Sequence, residues 1–218
     1  MTFDWTVVLD ALPALLKAAG TTIWISILAL SLGMVAGTVL GVIRAFAPKW
    51  LSMGSQAYIG IIRGTPLVVQ IMFIYFALPL LFGIRLSATT AGVIALTANS
   101  AAYLAEIVRG GFTAVPKGLK EAGLAMGLPL YKVIVFIIAP VAFRTMVPAL
   151  GNQFIIGVKD TSLLIVIGVA ELTRTGQEIM TQNYRAVEVW FVVAVIYLII
   201  LSVLGYLLRW IEHRTRIA

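Results

Sequence analysis

An all-α, polytopic membrane fold with five crossings is what this sequence predicts, on three observations. Hydrophobic residues make up 61% of the 218-residue chain and charged residues only 11%, and the mean hydropathy is +1.04. The apolar residues gather in runs long enough to cross a bilayer, which a soluble core does not need. Between those runs lie shorter polar connections whose Lys and Arg are unevenly shared between the two sides. Cysteine is absent, which excludes disulfides, thiol catalysis and cysteine metal sites.

The first residues, MTFDWTVVLDALPALLKAAG, carry Asp4 and Asp10 where a secretory signal has a basic region, so the segment is expected to be retained. Its apolar residues recur at helical spacing around Trp5, which predicts a helix over 1–17 lying in the membrane interface. The first crossing follows from Ala18 to Ile43, with Gly33, Gly37 and Gly41 forming a small-residue stripe for close helix packing. The second, from about Gly54 to Phe82, contains Arg63 and a kink at Gly64-Thr65-Pro66, because proline removes one backbone bond and clashes with the carbonyl of Ile62. The third, Leu86 to Ala105, is uncharged and carries the polar Asn99 and Ser100. The fourth, Val133 to Val158, includes Arg144, Pro140 and Pro148. Ser162 to Ala170 is apolar but too short to span and reads as a re-entrant or surface segment. The fifth, Val189 to Leu208, is bracketed by Trp190 and Trp210 at a separation of about 30 Å, one hydrocarbon thickness. Residues 211–218 form a polar tail.

Basic residues set the orientation. With the N-terminus outside, Arg44, Lys49, Arg109, Lys117, Lys120, Lys132, Arg209, Arg214 and Arg216 fall in the cytoplasm, against Lys17, Arg85, Arg174 and Arg185 outside. This bias places the C-terminus in the cytoplasm and accounts for much of the +7 net charge without a nucleic-acid partner. His213 is the single histidine, so histidine triads and multi-histidine metal sites are excluded. No Gly-x-x-x-x-Gly-Lys-[Ser/Thr] occurs, so the chain has no P-loop with which to cradle nucleotide phosphates.

The cytoplasmic connection GFTAVPKGLKEAGLAMGLPLYK is longer and more polar than its neighbours. Pro116 is placed to open a short helix, and Gly127 with Pro129 to close it. Glu121-Ala122-Gly123, then Gly127 after three residues, then Ile137 after nine and Ala139-Pro140 after one more, resembles the EAA loop of permease subunits of bacterial ATP-binding-cassette importers. Gly123 stands where the family has a third alanine, and Ala139 where it has leucine. Further stretches resemble the polar amino-acid branch of that family: Ile62 to Pro66 with Val69-Gln70, Asn99 to Glu106, Gly151-Asn152-Gln153, Lys159 to Leu163, and IGVAELTR at Ile167 to Arg174.

The resemblance implies a transmembrane domain over 18–210 with a coupling helix at about 116–128. Leu119, Glu121, Ala122, Gly123 and Gly127 would engage a separate ATPase, which alone holds ATP and magnesium; no cofactor is expected in this chain. It further implies a second permease chain, a homodimer being the first expectation, an extracytoplasmic amino-acid-binding protein, residence in the bacterial cytoplasmic membrane, and a polar amino acid as cargo, glutamine first. An ion-coupled secondary carrier, or an importer for arginine, histidine or glutamate, is the alternative. A carrier would be favoured by duplicated helices, which the sequence lacks. An intramembrane enzyme lacks its catalytic constellation.

Polar groups inside the apolar layer point to the transport route, because they are costly unless they face an interior or water. Asn99, Tyr103 and Glu106 share one helix face, as do Gln153 and Asp160. An amino-acid zwitterion needs a cation, an anion and, for glutamine, amide donors and acceptors. Asn99, Ser100, Tyr103, Gln153, Lys159, Asp160 and Thr161 are therefore the candidate substrate residues. The competing structural role is mutual pairing of Lys159 and Asp160, with Asn99 holding helices together. For Arg63 and Glu106 a structural role is preferred, either as a buried pair or with Arg63 snorkelling.

Overall fold

The computed structural model describes residues 3–215, and no strand occurs among them. The helices are α1 (Trp5–Phe46), α2 (Lys49–Arg63), α3 (Leu67–Phe82), α4 (Ala88–Ala114), α5 (Lys117–Ala125), α6 (Leu130–Ile167), α7 (Leu172–Asn183) and α8 (Ala186–Thr215). Four of them, α1, α4, α6 and α8, are each long and apolar enough to span a membrane, and α2 with α3 qualifies as a pair. Residues 216–218 of the expected tail, including Arg216, lie outside the described residues; Ile211 to Thr215 are the last turn of α8.

Alignment of the long helices gives the crossing count. Gly33, Gly37 and Gly41 of α1 face Ser100, Leu104 and Val108 of α4 in the same order, so these two helices run parallel. The chain between them must therefore return, and α2–α3 is that return. Gly92 lies against Leu164 and Gly111 against Met146, which makes α4 and α6 antiparallel. Gly151 against Leu208 and Gly205 beside Ile155 do the same for α6 and α8. Five crossings result, with the ends of the chain on opposite sides and α5 on the side where α8 ends.

Three sequence expectations are revised. First, no break separates 1–17 from the first crossing: α1 is one helix of 42 residues, about 63 Å long and twice the hydrocarbon thickness. The reason is tertiary. Ala11, Leu15 and Ala19 are buried against Leu172 of α7 and Val192, Val193 and Ile196 of α8, so the early turns have a packed face of their own. Second, the second crossing is broken, with α2 and α3 meeting at 102°. Third, Ser162 to Ala170, expected as a re-entrant or surface segment, packs one side into the bundle while Val166, Gly168 and Ala170 stay exposed: Thr161–Ile167 continues α6 as a 3₁₀ turn. Leu164, Ile167 and Val169 are buried there in a cluster with Ile25, Ala29, Ile71, Ala91, Ala95 and Leu96.

Prolines leave a second mark. The π turns Phe73–Ala77 and Val133–Ile138 each end two residues before a proline, Pro79 and Pro140. A widened turn there relieves the clash of the ring with the carbonyl one turn earlier.

Glu171 joins α7 to the bundle. It is 0% exposed, and its carboxylate caps α7 by accepting from the backbone N–H of Thr173 at 3.0 Å and of Arg174 at 2.7 Å. It also accepts from the Tyr197 hydroxyl of α8 at 3.0 Å. Burial pushes its carboxyl up from the ordinary range, against the pull of those hydrogen bonds. Glu171→Ala strands three donors and is expected to cost about 2–4 kcal/mol, read as a lower thermal midpoint of the detergent-solubilised protein. Glu171→Gln keeps a carbonyl acceptor and loses less.

Candidate functional site

Pro66 sets the site geometry. With no N–H at residue 66, the Ile62 carbonyl loses its helical partner, and the chain turns through 102° between Arg63 and Leu67. That bend draws α2 and α3 apart opposite the middle of α4 and the second half of α6, opening a cavity of about 560 Å3. The volume lies within the range of about 300–1,000 Å3 usual for small-molecule sites. Its lining combines Arg63, Gly64, Thr65, Pro66 and Leu67 of the bend with Asn99 and Tyr103 of α4 and Gln153, Ile156 and Asp160 of α6.

Four of the seven candidate substrate residues thus meet on one cavity: Asn99, Tyr103, Gln153 and Asp160. The other three do not line it. Ser100 is buried on the opposite side of α4, where a Cβ on Gly33 would approach its Cβ to 2.8 Å. Thr161 is buried and donates to the Val158 carbonyl at 2.7 Å. Lys159 is exposed. The cation at the cavity is Arg63, which sequence reasoning assigned a structural role.

Electrostatically the site is two-sided. Arg63 lies 5.1 Å over the Tyr103 ring and 4.0 Å from Glu106. Glu106 is closer to two other guanidinium groups, Arg44 at 3.2 Å and Arg109 at 2.9 Å. One carboxylate shared among three cations leaves this end of the cavity positive. Asp160, on α6, forms no ion pair among the described residues. A ligand bearing both charges can therefore bridge α2 and α6.

The sequence reading gave no role to Gln70, buried behind the cavity. Its Nε2 donates to the Ile62 carbonyl at 2.7 Å and the Thr65 carbonyl at 3.0 Å, and its Oε1 accepts from Asn99 at 3.3 Å. The available signal was a glutamine one helical turn after the proline of a break.

On the opposite side of the chain from the N-terminus stands α5, almost detached from the bundle. Leu119, Glu121 and Ala122 are exposed, as are Leu124 and Met126, whereas Gly123 is buried. A Cβ at Gly123 would reach Ile137 Cδ1 and Val133 Cγ2 at 2.9 Å, which is what the glycine contributes in this variant of the loop. Gly127 ends the helix with φ +78°, and the Leu128 N–H returns to the Gly123 carbonyl at 3.3 Å, a left-handed termination that favours glycine.

The family described as binding-protein-dependent transport system inner membrane component covers residues 33–217. The chain belongs to that family. This permease is 51% identical to the glutamine transport system permease protein GlnP of Escherichia coli, over 100% of both chains. It is 32% identical to the arginine transport system permease protein ArtQ of Bacillus subtilis, over 99% of both. Among solved structures, an amino acid ABC transporter with histidines superposes with a TM-score of 0.92 at 35% identity, covering 98% of this chain and 100% of that one. The MetNI methionine ABC transporter shares the fold at a TM-score of 0.81 and 21% identity, over 94% and 97% of the two chains. The permease is thus a multi-pass component of the bacterial inner membrane, working with a separate ATPase and a second permease chain. The family does not favour the ion-coupled carrier.

Proposed function

We propose that this permease carries a polar amino acid, glutamine first, across the inner membrane through the cavity at the α2–α3 break. The chain is oriented with its N-terminus outside. An extracytoplasmic binding protein delivers the cargo, and the partner ATPase, holding ATP and magnesium, drives release from below α5. A second copy of the same chain completes the pathway. The observation that carries this reading is the pairing of Arg63 and Asp160 across one cavity with three amide or hydroxyl groups, Asn99, Gln153 and Tyr103. Arg63 meets the α-carboxylate and Asp160 the α-ammonium, the two groups every amino acid shares, while the amides face the side chain. The full-length similarity to a glutamine permease supports the choice of cargo.

Substrate-stimulated ATP hydrolysis by the reconstituted transporter tests it. Asp160→Asn and Arg63→Gln each remove one charged hydrogen bond and are expected to raise the glutamine concentration for half-stimulation by about 10- to 100-fold. Lys159→Ala is expected to stay within about threefold of wild type, because exposed charges contribute little. Wild-type stimulation in both Asp160→Asn and Arg63→Gln overturns the assignment.

A further inference from the structure

The Gln70 carboxamide stands between the broken backbone and the cavity, and its orientation is fixed by what it touches. The Ile62 and Thr65 carbonyl oxygens can only accept, so Nε2 must face them. The Thr65 hydroxyl donates to the Ile61 carbonyl at 2.9 Å and accepts from the same Nε2 at 3.0 Å. In effect the Gln70 amide replaces the N–H that Pro66 lacks. Oε1 is then left pointing at Asn99, and a flipped Asn99 would set oxygen against oxygen. Asn99 therefore donates through Nδ2, at 3.3 Å, and its Oδ1, which has no protein partner among the described residues, is available to the cavity that Asn99 lines. Gln70 and Asn99 are 8% and 7% exposed, so each amide is held chiefly by these protein contacts.

We propose that Gln70 is a specificity-determining positioning residue: it locks Asn99 with its acceptor toward the cavity, so that the site selects side chains that donate a hydrogen bond and rejects those that only accept. This inference rests on the cavity being the amino-acid site. A carboxamide brings two N–H donors to Asn99 Oδ1; a side-chain carboxylate brings none and adds like-signed partial charge. Gln70 does this without lining the cavity.

The test uses the whole transporter, both permease chains with the ATPase, in lipid nanodiscs and without a binding protein, so that the cavity alone is read. Bound tritiated L-glutamine is displaced by unlabelled L-glutamine, by L-glutamate and by its γ-methyl ester. The side chain of the ester is uncharged and close in size to that of glutamine but has no N–H, which separates the need for a donor from charge repulsion. Wild type is expected to need at least about tenfold more ester than glutamine, the loss of one buried hydrogen bond. In Gln70→Met, near in shape and unable to hold Asn99, the ester-to-glutamine ratio falls toward one. Pro66→Ala, which gives the Ile62 carbonyl its own N–H and loosens Gln70, shifts the ratio the same way. An unchanged ratio in either variant overturns the role of Gln70. A wild-type ratio near one overturns the fixed acceptor, even where neither variant assembles. Failure of unlabelled glutamine to displace the label in wild type instead overturns the cavity as the amino-acid site, and this inference with it.

Discussion

Glu121→Ala is expected to leave the chain inserted and assembled with its second permease chain, yet to lower ATP-driven uptake by at least about tenfold. The reason is where α5 stands. Glu121 is exposed and makes no ion pair within the chain among the described residues, so its removal disturbs no internal contact. A lone carboxylate on a short helix gains a partner only from outside. The adjoining surface is apolar, with Leu119, Leu124 and Met126 exposed by 37%, 44% and 78%, the pattern of a helix that lays an apolar face into a groove with its charge at the rim. A charge-assisted hydrogen bond at such a rim contributes about 1.5–3 kcal/mol, which is roughly 10- to 150-fold in affinity. Leu124→Asp should be worse, because it puts a charge into the groove itself. The measurement is ATPase retained on the purified permease alongside uptake into vesicles. Full ATPase retention with wild-type uptake in both variants would show that α5 is not the docking element.

Much of the architecture was legible from hydropathy and small-residue spacing. The stripe Gly33, Gly37, Gly41 anticipated a close helix contact, and Pro116 with Gly127 bounded α5, because capping and left-handed termination are local properties. Asn99, Tyr103, Gln153 and Asp160 were legible for another reason: a polar group in an apolar run is costly and faces something that compensates it. What the sequence did not show depends on distant neighbours. The continuity of α1 through residue 17 rests on burial of Ala11 and Leu15 against helices more than 150 residues away in sequence. The burial of Leu164 and Ile167 needs the floor made by α1, α3 and α4. Arg63 looked structural because its reach over Tyr103 toward the cavity depends on a 102° bend that a Gly-Thr-Pro triplet announces only as a kink. Lys159 and Asp160 are adjacent in sequence, but a helix turns successive residues about 100° apart, so only one of them meets the cavity. The orientation of the Gln70 amide is a matter of which atoms surround it, and adjacency in sequence carries no such information.

Gly37→Ala is expected to destabilise the bundle by about 3 kcal/mol, one of the largest effects available from a single methyl group in this chain. A Cβ at residue 37 would sit 2.6 Å from Leu104 Cβ and 2.8 Å from the Ala101 carbonyl oxygen. Both are backbone or backbone-anchored atoms, so no rotamer change relieves the contact; α1 and α4 must move apart. Overpacking of this kind costs about 1–3 kcal/mol, and more where the backbone itself has to shift. Separation also loosens the neighbouring contacts at Gly33 and Gly41, where a Cβ would likewise come within 2.8 Å and 2.6 Å of α4 side chains. Gly20 supplies the control within the same helix. Nothing lies within 4 Å of its ideal Cβ, so Gly20→Ala should gain up to about 1 kcal/mol of helix propensity. Thermal unfolding of the two variants in detergent reads the stability of the seam. Equal midpoints for Gly37→Ala and Gly20→Ala would mean that the glycine seam does not set the distance between α1 and α4.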